Sequence, residues 1–193
     1  WMSLNSIDEI MKHPARKRFE NVLSGVPVVS TLEIMYRGRH FDPADTSRNV
    51  SSSFGPPPPE ACLEAGRYNS AGSSVLYLAS TNDGVRLEVQ PPPGRVLMSQ
   101  AFLVPPSVRI ADLTNNSIDP FVGNAFDRAE HMEATYYFRS NALAHLVSEQ
   151  FQGMLVPGVR GSRHQRYSNL VIFAPKDIWC AWIHSPAAPT ELA

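Results

Sequence analysis

Cysteine is scarce, with only Cys62 and Cys180 in 193 residues. They lie far apart and lack CxxC or Cys/His spacing, which argues against a structural zinc site or a redox pair. Both read as reduced thiols of a cytosolic protein. Charge of one sign is also missing: 17 basic residues face 18 acidic ones, for a formal net charge of -1. Nothing here draws the chain to nucleic acid or to an anionic membrane surface, so any anionic ligand must be held by locally placed arginines. No apolar run approaches the ~20 residues that span a bilayer, and no apolar signal core opens the chain. The expectation is a soluble, cytoplasmic protein, with delivery into a target cell as the alternative. Trp1 before Met2 is an unusual natural start and is compatible with a domain taken from a longer chain.

Several catalytic signatures are missing as well. There is no GxGxxG after a strand and no GxxxxGK[ST], so the nucleotide folds those motifs mark are unsupported. The six histidines show no HxxxH or HExxH spacing, and no metal is expected. No GxSxG marks a nucleophile elbow. No internal repeat is visible, and the length is compatible with one domain.

What is present reads as a mixture of helices and strands. Residues 6–23 carry Ile7, Ile10, Met11, Phe19, Val22 and Leu23 near helical spacing, and Pro14 divides them into two short helices. This N-terminal helical segment, 1–31, is expected to pack on the remainder, 32–193. Residues 26–39 read as an extended strand ending in Tyr-Arg-Gly-Arg, because β-branched residues and alternation dominate. Residues 42–64 contain SSSFGPPPPE and form a long loop that is either a binding element or disordered. A strand is expected over 75–79. In residues 83–89 Val85, Leu87 and Val89 alternate with Arg86, Glu88 and Gln90, a pattern open to a strand or a short helix. Residues 96–110 hold two apolar stretches broken by Pro105 and Pro106. A helix is predicted over 135–150 with Gly153 ending it, followed by core strands at 154–156 and 169–174.

Two features point to chemistry. Glu88 is a carboxylate in an apolar context, costly to bury unless a partner or a function holds it there; the ordinary alternative is a solvated glutamate. Arginines also lie beside aromatics and glycines: Arg37 and Arg39 after Tyr36, Arg67 before Tyr68, and Arg160 in a glycine-flanked loop. Guanidinium groups bind pyrophosphate bidentately, and a neighbouring ring can stack on a base or nicotinamide. Taken singly, each reads first as an ordinary surface arginine. Cys62 has no evident base and reads as a structural thiol.

In order along the chain, YRGR (36–39), GRYNSAGSSVLYLAS (66–80), RLEV (86–89), RIADL (109–113) and SNLVIFAP (168–175) resemble the RES family. The resemblance implies an α+β fold, a compact mixed α/β domain similar to ADP-ribosyltransferase toxins, with central β-sheets, flanking helices and NAD in a central cleft. It also favours a helix for 83–89. Family members are bacterial toxins of toxin–antitoxin pairs that degrade NAD by hydrolysis or phosphorolysis, while some transfer ADP-ribose to a protein. By position, Glu88 and Arg37 would be catalytic, and Arg39, Arg67, Tyr68, Arg160 and Ser168 would bind NAD as substrate. A protein antitoxin or immunity protein is the implied partner. One departure stands out: the late motif reads Pro157-Gly158-Val159-Arg160, with a glycine where the family carries its serine. Ser162 or Ser168 is then the nearby source of a hydroxyl. A module that binds a nucleotide or partner without turnover is the non-enzymatic alternative.

Overall fold

The computed structural model describes residues 7–29, 34–114, 134–158, 160, 167–173 and 187–193. Cys180, Ser162 and Trp1 lie outside these residues, as does the expected boundary near residue 31. Helices α1 (Ile7–Lys12) and α2 (Ala15–Ser24) flank Pro14, which caps α2 because its ring fixes φ at a helical value and its missing N–H costs nothing there. Both pack on the later helix α4 (Ala134–Ser148), and Arg16 ties α2 to the end of α4 through Glu149 at 3.1 Å.

Seven strands among the described residues form one sheet. They are β1 (Ile34–Phe41), β2 (Leu76–Ala79), β3 (Val96–Leu103), β4 (Ile110–Asp112), β5 (Gly153–Pro157), β6 (Ser168–Ile172) and β7 (Thr190–Leu192). Their order is β4-β5-β6-β2-β1-β3-β7, antiparallel except for β4 and β5. The mixed α/β class is thus as expected, but the sheet is continuous. It comes close to being two. Strands β1 and β3 pair over eight positions, from Ile34↔Leu103 to Phe41↔Val96, whereas β1 and β2 share only Tyr36↔Ala79. Beyond that pair the ladder opens, and the opening becomes the cleft described below.

One face packs α2 and α4 through Phe19, Leu23, Leu143, Leu146 and Val147 onto Met154, Val156 and Val171. The opposite face buries Met35, Phe41, Leu76, Leu78, Phe102, Leu170 and Ile172 together with Phe54. Each fully buried Leu or Phe contributes about 1.5–3 kcal/mol, so both faces are needed to hold the sheet. Phe54 belongs to the proline-rich loop, and its ring lies 5.6 Å from that of Phe41. The loop is therefore anchored. It winds through three single 3-10 turns, Thr46–Asn49, Ser51–Phe54 and Pro59–Ala61, instead of running irregularly.

Residues 82–88 form helix α3 (Asn82–Glu88), as the family resemblance favoured. Thr81 accepts the Gly84 N–H at 2.9 Å and starts the helix, which local capping can do where alternation alone is ambiguous. Strand β1 runs two residues past Arg39. Gly153 opens β5 instead of closing α4, which ends at Ser148, because Gly153 pairs with Ile110 and Ile172 in the sheet. No helix among the described residues is long and apolar enough to cross a membrane.

Candidate active site

The opening between β1 and β2 leads into a cleft of about 370 Å³. Helix α3 forms one wall. It can lie directly on β1 because Gly38 has no side chain; a Cβ there would collide with Cγ1 of Val85. Val85, Glu88 and Val89, spaced three and four residues apart, all line the cleft. The close approach brings the last residue of α3, Glu88, over the sheet.

Glu88 is held from two sides. Its Oε1 accepts the Tyr167 hydroxyl at 2.6 Å and the Asn169 side-chain amide at 2.7 Å, and Nε of Arg160 lies 3.6 Å from its Oε2. The side chains of Glu88 and Arg160 remain 25% and 36% exposed, so the pair faces the cleft and can be reached by a ligand. Burial first, and the hydrogen bond to Glu88 second, push the Tyr167 phenol well above its ordinary range. Tyr167 therefore stays protonated and remains a donor.

Arg37 enters from β1. It is buried, gives Nη1 to the Tyr77 carbonyl at 3.1 Å, and leaves Nε without a hydrogen-bond partner among the described residues. Burial pushes its guanidinium down to about 9, and the nearby Arg39 adds to the push. A buried cationic donor with spare hydrogen-bonding capacity at the edge of a cleft is poised for an anion.

The third wall is the turn carrying Gly66, Arg67 and Tyr68. Gly66 and Asn69 form an isolated bridge, the Tyr68 N–H donates to the Tyr77 hydroxyl at 3.0 Å, and that hydroxyl donates to Asn69 at 2.8 Å. Ser140 and Asn141 of α4 donate to the carbonyls of Arg67 and Gly66. Helix α4 thus holds this turn through two side-chain hydrogen bonds. Burial pushes the Tyr68 phenol up to about 12.

The sequence-predicted residues Glu88, Arg37, Arg67, Tyr68 and Arg160 accordingly meet in one cleft. Two others do not line it. Arg39 donates to the Ser53 carbonyl at 2.5 Å, on the anchored loop. Ser168 shares the face of Leu170 and Ile172, and its backbone is tied to Ser80 at 2.9 Å. Strand alternation instead presents the neighbouring Asn169, which lay in the same motif; the apolar pattern of Leu170 and Ile172 was the signal that Ser168 lies on their side of the strand. Tyr77 and Tyr167 were also missed, since a lone tyrosine carries no spacing signal. Among the described residues no group of three or more His, Cys, Asp and Glu can hold a metal. Cys62 sits half-buried on the proline-rich loop, its thiol 3.6 Å from the Pro58 carbonyl.

The RES domain model matches residues 34–181, most of the chain and every wall of this cleft. The chain belongs to the RES family. The fold of this RES domain is similar to that of a chain in the crystal structure of the M. tuberculosis MbcT–MbcA toxin–antitoxin complex. The TM-score is 0.54 at 16% identity, over 91% of this chain and 89% of that one. No curated protein matches significantly in sequence.

Proposed function

We propose that this RES domain binds NAD in the cleft and cleaves its nicotinamide-ribose bond, acting as an NAD glycohydrolase or phosphorylase that depletes NAD. The observation that carries this is the pairing of a fixed, solvent-reachable carboxylate, Glu88, with a buried arginine, Arg37, whose Nε has no partner among the described residues, across one small cleft. When the bond breaks, its electron pair leaves with the nicotinamide ring and the ribose carbon becomes oxocarbenium-like. The Glu88 carboxylate is the group that stabilises that developing positive charge. Water or phosphate then adds to the same carbon and loses its proton.

The remaining residues bind and orient. Arg37, with Arg67, neutralises the pyrophosphate, and Tyr68, 4% exposed, forms part of the apolar wall against which the nicotinamide end packs. The cleft volume falls in the range of small-molecule sites and suits the reacting half of the dinucleotide. A toxin role, restrained by a protein antitoxin, is supported by the family and by the toxin–antitoxin complex in which the similar fold occurs.

The test is to incubate the purified protein with NAD, with and without phosphate, and to follow free nicotinamide. Release that depends on phosphate marks a phosphorylase, and release without it a glycohydrolase. Label transferred to a protein would replace both with ADP-ribosyl transfer. The absence of nicotinamide release and of label would leave a binding module and overturn the enzymatic reading.

A further inference from the structure

Gly84 and Gly158 come from different parts of the chain, α3 and the residue after β5, yet both abut the ring of Tyr167. A Cβ on Gly158 would lie under 3.0 Å from Cε2, Cζ and Cδ2 of that ring, and one on Gly84 would lie 2.7 Å from Cδ2 and 2.9 Å from Cγ. Neither glycine has a positive φ, so space and not backbone conformation excludes a side chain at both. The ring is 8% exposed, and Gly158 also donates its N–H to the Tyr167 carbonyl at 2.8 Å. At the end of this slot the Tyr167 hydroxyl accepts the Arg160 backbone N–H at 3.2 Å and donates to Glu88 at 2.6 Å. The incoming N–H directs the phenolic proton to the carboxylate.

We infer that Tyr167 is a positioning residue for Glu88, and that residue 158 is a glycine because the ring needs its space. The hydroxyl beside Glu88 comes from residue 167. The two glycines, the ring and the carboxylate form one unit: the glycines fix the ring, and the ring fixes the oxygen that meets Glu88. Without it Oε1 loses the Tyr167 donor and keeps the Asn169 amide, and the carboxylate can turn toward Arg160 on its other oxygen. The inference rests on the NAD-cleaving reading of the cleft.

The test measures kcat and KM for nicotinamide release, with NAD binding followed separately. Tyr167→Phe keeps the ring in its slot and removes only the hydroxyl. We expect kcat to fall at least tenfold with KM within twofold of wild type. Gly158→Ser alone should fall as far, because its side chain displaces the ring. Gly158→Ser combined with Tyr167→Ala should be several-fold more active than Tyr167→Ala, because the emptied slot admits a serine hydroxyl near Glu88. Gly158→Ala combined with Tyr167→Ala refills the same slot without a hydroxyl, so rescue by serine and not by alanine separates the hydroxyl from packing, which by itself also couples residues that share a cavity. Wild-type kcat in Tyr167→Phe, a change confined to KM, or a double variant no better than Tyr167→Ala overturns the positioning role alone. A wild-type protein that binds NAD but releases no nicotinamide overturns the reading of the cleft, and this inference with it.

Discussion

Replacing Arg37 by Met separates folding from function most sharply. Among the described residues the buried guanidinium makes one hydrogen bond, to the Tyr77 carbonyl, and Nε has no partner. A charged hydrogen bond returns about 1.5–3 kcal/mol, while desolvating the ion costs several kcal/mol after relaxation. Methionine has similar length and no charge, and the Tyr77 carbonyl is left beside a cleft that water can enter. We expect Arg37→Met to unfold in urea with stability unchanged or raised by up to about 2 kcal/mol. NAD affinity should fall by about 1.5–3 kcal/mol, roughly 10- to 150-fold by calorimetric titration. A loss of more than about 2 kcal/mol in stability with unchanged NAD affinity would refute the reasoning and make Arg37 a structural residue.

Three further outcomes are expected. Glu88→Gln keeps an oxygen that can accept from Tyr167 and Asn169, so the protein should fold and bind NAD while nicotinamide release falls by about 10²–10³; half of wild-type activity would remove Glu88 from the chemistry. Arg39→Ala should leave NAD affinity within twofold and lower unfolding free energy by about 1–2 kcal/mol, because Arg39 anchors the loop at Ser53; a tenfold loss of affinity would return it to the cleft. Gly84→Ala inverts the usual helix preference. Alanine normally gains about 0.5–1 kcal/mol over glycine inside a helix, but here its methyl meets the Tyr167 ring, so a loss of about 1–3 kcal/mol by thermal melting is expected and a gain would contradict the slot.

The amino-acid sequence by itself pointed to strands over 75–79, 154–156 and 169–174, which the structure has at Leu76–Ala79, Gly153–Pro157 and Ser168–Ile172, to the division of the first helices at Pro14, and to the motif order that assigns the family. These depend on periodicity, proline geometry and residue order, which are local. It also pointed to Glu88, Arg37, Arg67, Tyr68 and Arg160, although Glu88 rose above other acidic residues only through its place in the motifs. Residues 83–89 stayed ambiguous in pattern because a seven-residue helix shows barely two turns, and capping by Thr81 settled it. The tertiary structure alone decided the rest. Which of Ser168 and Asn169 faces the cleft depends on the register of β6 against β2 and β5. Arg39 left the cleft because the loop around Ser53 folds back to meet it. The role of Gly158 was invisible along the chain, since Gly84, Gly158 and Tyr167 meet only when α3, β5 and β6 are packed together, and contact between distant residues has no sequence period.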